Sequence, residues 1–345
     1  MIDITQEEIM RNWGVDNSDN PLVSVKCMTF NHEKYISQAM DGFLMQKTTF
    51  PFEILVHDDA STDKTTDILR EYEKQFPKIV KVIYEEENQW SKGYRLHHVK
   101  INKSIKGKYI ATCEGDDYWI DDNKLQKQVL FLEQNSDYGL VYTKTGEYVQ
   151  KSESFLKPVG KQTDFIGLLM CENPIATLTA CFRKELYNKY LIDIKPEERN
   201  WKMGDYPFWI YLAYNSKIKY IDDLTGIYRI LEKSACHYKN IDEQLLFIKG
   251  KYDISEFYQK LYNVNINVYW DESMFYIPIH FSKGHRKQIL EYKEKITVKK
   301  NNLIKFLALF PLLFYLAVLF LRIKNRMINY IIKPNYKLEK KGGIK

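Results

Sequence analysis

From Leu22 onward the chain repeats one pattern: a short apolar run, a polar turn, then apolar positions three and four apart. Leu22–Phe30, Phe52–His57, Ile79–Tyr84 and Tyr109–Cys113 are largely apolar or β-branched runs of strand length. Between them, Ile36, Met40, Phe43 and Leu44 mark one helix face in a segment ending at Gln46. Ile68, Leu69, Tyr72 and Phe76 mark another over Lys64–Phe76. A polar loop, Glu85–Gly93, precedes a third helical stretch ending near Lys106. Strands alternating with helices predict an α/β domain with a mostly parallel sheet, flanked by helices and joined by right-handed crossovers. Asp122–Gln134 continues as a helix. After it, Tyr138–Thr143, Ala176–Phe182 and Lys219–Ile230 read as strands, the last with a turn, and Gly204–Asn215 as a short helix. Asp242–Leu261 and Arg286–Thr297 read as further helices.

The polar residues that interrupt this pattern carry its chemistry. The second strand runs into Asp58-Asp59-Ala60-Ser61-Thr62-Asp63, and the fourth into Glu114-Gly115-Asp116-Asp117. Clustered carboxylates repel one another and resist desolvation, so each cluster belongs on a solvated turn or around a cation. Both fall where parallel strands end, which is the edge at which open α/β sheets bind ligands.

Composition adds compartment and context. Five cysteines with no CxxC pair argue against a disulfide framework or a zinc site and point to a reducing compartment. The first eight residues show no basic region followed by an apolar one, so no signal peptide is evident. The net charge of +6 hides an asymmetry: Lys283–Lys345 holds sixteen Lys/Arg against three Glu, leaving the preceding residues at −7. Within that basic tail, 306–321 is uncharged and nearly all apolar, with Lys299, Lys300 and Lys305 on one side and Arg322, Lys324 and Arg326 on the other. Sixteen helical residues span about 24 Å, short of a hydrocarbon core of about 30 Å. The reading favoured here is a helix lying in the cytoplasmic leaflet with its cations on an anionic membrane surface, ahead of a true span or a buried helix. Such a tail disfavours nucleic acid as a partner.

Taken in order, these junctions resemble the inverting glycosyltransferases of family 2, with the GT-A (Rossmann-like) fold. The resemblance starts at Val23–Asn31, continues through Glu53–Asp63 and reaches Glu114–Asp117, which is similar to the family's D-x-D element. Pattern and charge give a polar leader at 1–20, a helical extension at 241–300 and a membrane-associating tail at 301–345; the resemblance itself implies a GT-A domain at 21–240. It further implies a divalent cation, Mn²⁺ or Mg²⁺, held by Asp116 and Glu114, with His237 as a further ligand. Thr29, Phe30, Asn31, Asp58 and Asp59 would hold the base of a UDP- or GDP-sugar, with Arg95, Asp117 and Arg229 completing the donor site. Asp205, in Trp201–Pro207, would be the base that deprotonates the acceptor, whether or not it also caps the following helix. The acceptor implied is a growing, lipid-linked glycan in cell-surface polysaccharide synthesis, at the cytoplasmic face of the inner membrane. Two rivals differ in kind. A sugar-nucleotide nucleotidyltransferase usually carries a Gly-rich phosphate loop after the first strand, and Asn31-His32-Glu33-Lys34 offers none. A catalytically inactive, membrane-bound sugar-binding scaffold would bind donor without reaction.

Overall fold

The structure is a computed structural model that describes residues 2–14, 20–92, 96–231, 241–266 and Leu316. Arg95, His237, the 286–297 helix and the apolar tail segment lie outside the described residues. The chain divides into two compact units, 1–168 with 172–231, and 169–171 with 232–345.

The first unit follows the alternation up to residue 112: α1 (Gln6–Met10), β1 (Val23–Thr29), α2 (Ile36–Leu44), β2 (Phe52–Asp58), α3 (Thr65–Gln75), β3 (Val80–Tyr84), α4 (Leu96–Ser104) and β4 (Tyr109–Thr112). Then come β5 (Tyr118–Trp119), α5 (Lys124–Gln134), β6 (Tyr138–Val149), β7 (Ser154–Phe155), α6 (Phe165–Leu169), β8 (Cys181–Arg183), α7 (Lys184–Ile194), α8 (Asp205–Asn215) and β9 (Lys217–Ile230). One sheet joins all nine strands in the order β3-β2-β1-β4-β8-β6-β9-β5, with β7 on β6.

The expectation of a mostly parallel sheet needs correction. Strands β3, β2, β1 and β4 are parallel, as is β6 with β9, but β8 runs antiparallel to both β4 and β6, and β5 antiparallel to β9. The sheet is mixed because β8 enters reversed, between β4 and β6. The parallel half is covered on both faces: all seven residues of β2, the polar Glu53, His57 and Asp58 included, and six of seven in β1 are buried. The first fourteen residues join this core. Trp13 is buried, packs edge-on against Phe52 at 5.2 Å and donates its indole N–H to Thr48 Oγ1 at 3.0 Å.

Helix α2 positions the short strand that comes after the acidic turn at the end of β4. Its buried face packs Phe43 against Trp119 of β5, ring centroids 4.8 Å apart. Gly42 permits this approach, since a Cβ there would lie 2.8 Å from the Trp119 carbonyl oxygen.

The second unit is described through α9 (Ile241–Leu261). Ile254, Ser255 and Tyr258 are buried, and the Ser255 hydroxyl donates to the Leu169 carbonyl at 2.5 Å. No helix among the described residues is long and apolar enough to cross a membrane.

Candidate active site

The parallel register brings the exits of β1, β2 and β4 to one edge. Thr29 pairs with Asp58, the Cys113 amide donates to the Lys26 carbonyl at 3.1 Å, and the Gly115 amide to the Met28 carbonyl at 2.9 Å. A Cβ on Gly115 would fall 2.6 Å from Thr29 Oγ1 and 3.0 Å from His32 Nδ1, so only glycine lets the acidic turn close onto β1.

The turn after β2 is bound into its own loop. Asp58 is buried; its Oδ1 accepts from the Ser61 amide at 3.1 Å and hydroxyl at 2.5 Å, and its Oδ2 from the Thr66 hydroxyl at 2.6 Å. Asp59 accepts from the Gln89 and Trp90 amides at 2.7 and 3.0 Å. Asn31, in the left-handed region at φ 55°, accepts from the Thr62 amide at 2.7 Å and donates its own amide to Ser61 Oγ at 2.9 Å. These residues, expected to touch the nucleotide base directly, therefore first build the walls of the cleft. Thr29 is buried, and Phe30 is 41 % exposed, free to offer a ring face.

The turn after β4 is different. No other described residue donates a hydrogen bond to the carboxylate of Glu114 or Asp116. Burial first, then the charge of Asp116, raises Glu114 to about 7; Asp205 pushes the same way and Lys26 opposes. Asp117 is buried and held well above the carboxylate range by burial and by Asp116 and Glu114, although its Oδ1 accepts the Arg229 amide at 2.7 Å. Asp117 thus ties the acidic turn to β9.

Asp205 opens α8. Its Oδ2 accepts from the Thr177 hydroxyl at 3.0 Å and its Oδ1 from the Tyr206 amide at 2.8 Å. Thr177 lies in a single 3₁₀ turn, Thr177–Thr179, whose first carbonyl accepts from Thr112 Oγ1 at 2.7 Å. The end of β4 and the start of α8 are so tied together, and Asp205 stands near enough to Glu114 to shift it. Arg229, expected on the diphosphate, is buried with its Nε donating to the Asp116 carbonyl at 2.8 Å.

Two residues of this edge were not singled out from sequence. His32 shares a hydrogen bond between Nδ1 and Thr29 Oγ1 at 3.1 Å, and its Nε2 lies 4.0 Å from Asp116 Oδ2. Burial lowers its pKa against the pull of Asp116, Asp63 and Asp58. Its position at a parallel strand's exit was the available signal. Thr177 gave none, because it sits inside an apolar run that reads as strand.

Fold and site define an α/β domain whose parallel strand ends carry a group of carboxylates, Glu114 and Asp116 among them accepting no hydrogen bond from another described residue. Residues 24–191 match glycosyl transferase family 2, and the domain that contains them has a GT-A-type α/β fold. It is 32% identical over 166 residues to an uncharacterised protein of Mycobacterium tuberculosis, covering 47% of each chain. It is 36% identical over 127 residues to TuaG of Bacillus subtilis, whose name assigns it provisionally to teichuronic acid biosynthesis as a glycosyltransferase; 37% of this chain and 46% of TuaG are covered. The chain spans about half the length of these relatives. The fold is shared with S. aureus TarS residues 1–349, solved with UDP-GlcNAc, at TM-score 0.52 and 20% identity over 81% of this chain and 77% of that one.

Proposed function

We propose that this chain is an inverting, metal-dependent glycosyltransferase that moves a sugar from a nucleotide-sugar donor to a hydroxyl of a growing, lipid-linked glycan. The observation that carries this reading is the meeting of the Glu114–Asp117 turn with Asp205 at one sheet edge. In a single displacement the acceptor hydroxyl gives its proton to Asp205 and its oxygen attacks the anomeric carbon. The bond from that carbon to the diphosphate breaks, and the nucleoside diphosphate leaves with the electron pair.

The carboxylate turn suits a divalent cation. Its members raise one another's proton affinity, which a nearby positive charge relieves. Among the described residues no three His, Cys, Asp or Glu side chains close around one point. Asp116 and Glu114 would then hold the ion together with the donor's phosphate oxygens, as Mg²⁺ sites commonly do with one or two carboxylates. When bound, the ion supplies positive charge to the departing diphosphate. Asp116 orients the donor end of the cleft, and Asp205, fixed by Thr177, faces the acceptor.

The UDP-GlcNAc bound by TarS and the biosynthetic role in TuaG's name support a nucleotide-sugar donor and a cell-surface glycan. The basic, apolar tail supports an acceptor carried in lipid at the cytoplasmic face of the membrane, where both partners search in two dimensions. Purified full-length protein, heated with a panel of UDP- and GDP-sugars with and without Mn²⁺, should be stabilised by one donor class only when metal is present. That donor should release nucleoside diphosphate in the presence of a lipid-linked acceptor. Pyrophosphate formed from nucleoside triphosphate and sugar phosphate, or tight donor binding with no turnover on any acceptor, would overturn the reading.

A further inference from the structure

Arg229 ends β9 with a side chain that carries a full charge into the protein. The residue is 6% exposed. Its Nε donates to the Asp116 carbonyl at 2.8 Å, one terminal nitrogen to Gln150 Oε1 at 2.8 Å and the other to Gln38 Oε1 at 2.6 Å. The rings of Tyr35, Tyr118 and Tyr148 lie 4.8, 5.0 and 5.8 Å from the guanidinium carbon. All three nitrogens are therefore engaged by the protein, and aromatic rings surround the plane. Three of its five N–H groups are taken by the protein, and the residue is almost wholly shielded from solvent.

A buried cation is costly unless its partners are fixed. Here they are drawn from across the fold: Tyr35 and Gln38 from α2 and its cap, Tyr118 from β5, Tyr148 and Gln150 from the end of β6. What the cage grips is the acidic turn. The Arg229 amide binds the Asp117 carboxylate while the Arg229 side chain binds the Asp116 carbonyl, so two bonds from one residue hold two adjacent residues of the turn. Among the described residues no group donates a hydrogen bond to the Asp116 carboxylate, and His32 Nε2 stands 4.0 Å from its Oδ2. The backbone that aims this carboxylate is held by Arg229 together with the Gly115 amide on the Met28 carbonyl and the Asp117 amide on the Glu114 carbonyl.

We propose that Arg229 is a positioning residue: it aims the Asp116 carboxylate at the cation-bound diphosphate without touching the donor. This rests on the functional reading above. Lysine cannot replace it, because an ammonium lacks the planar fork that serves three acceptors while stacked on rings.

The test uses full-length protein, MnCl₂ and UDP or GDP, whichever stabilises the wild type. Two quantities are read separately: nucleotide affinity in EDTA, and the Mn²⁺ concentration giving half the thermal shift at saturating nucleotide. Arg229→Lys should raise the Mn²⁺ midpoint by about tenfold, the scale of one charged hydrogen bond, and leave affinity in EDTA within about twofold. Gln38→Met and Gln150→Met, which keep Arg229 but loosen its cage, should each raise the midpoint by about threefold, and they decide the matter if Arg229→Lys does not fold. An unchanged midpoint in all variants that fold overturns the proposal. Affinity in EDTA falling as far as the metal response also overturns it, because Arg229 then touches the nucleotide. If the wild type shows no Mn²⁺ response, the functional reading falls and the proposal with it.

Discussion

Two acidic turns leave the same sheet edge and differ in what the protein does with their charge. In the turn after β2, every carboxylate oxygen of Asp58 and Asp59 accepts a hydrogen bond from a nearby amide or hydroxyl. In the turn after β4, Asp117 receives one amide, while Glu114 and Asp116 receive nothing from any other described residue. Burial and mutual repulsion then drive Glu114 to about 7 and Asp117 well above its ordinary range. A carboxylate supplied with donors is a strut. A carboxylate left short of them keeps its lone pairs open to a cation or another donor. Paired acids read alike in sequence, and only the supply of donors separates the two jobs.

That contrast breaks most visibly at Asp116. Asp116→Asn should lower kcat/KM by about 10⁴-fold, the several kcal/mol an ion contributes at 1.36 kcal/mol per tenfold. Its melting temperature should hold or rise, since one repelling charge is gone. Asp205→Asn should lower kcat by about 10³-fold, the range of general base catalysis, with Mn²⁺-supported donor binding intact. Loss of donor binding in that variant would move Asp205 from the acceptor side to the donor side. Asp58→Asn should show the opposite balance: a stability loss of about 1–3 kcal/mol from hydrogen bonds left unmade, read as a Tm lower by several degrees, with a smaller effect on turnover. A fully folded Asp58→Asn that is inactive would erase the distinction between the turns.

The parallel half of the sheet was legible because its strands are covered on both faces. β1, β2 and β4 read as mostly apolar runs of strand length, and their observed ends fall within about two residues of the expected ones. The other half was less legible, since its structure is settled by distant partners. β5 is two residues long and exists by pairing Tyr118 and Trp119 with Ile227 and Gly226. β9 reads as two strands because Asp222-Asp223 resembles a turn, yet it is one strand with register shifts against β6 nearby. Ala176–Phe182 reads as strand throughout, but its first half coils into the 3₁₀ turn that holds Asp205. The site followed the same division. Both acidic turns and Asp205 could be found from local motifs. The structural duty of Arg229 could not, because Gln38 lies 191 positions away.

The smallest expected effect sharpens the contrast through pH. An exposed glutamate releases its proton near 4.5, whereas folded Glu114 keeps it until about 7. Between those values the folded state binds more protons than the unfolded state, so stability falls as pH rises. Without metal, the wild-type melting temperature should decline from pH 5 to pH 7.5, and Glu114→Gln should decline less. The substitution also removes a charge that helps push Asp117 up, so both consequences flatten the curve in the same direction. Mn²⁺ with nucleotide favours the ionised turn and should shrink the wild-type decline, most strongly above pH 7. Parallel curves for the two proteins without metal would mean that Glu114 is not held protonated by its surroundings. The two turns would then differ only in their hydrogen bonds, and charge left in deficit would no longer mark one of them as the place where a ligand is met.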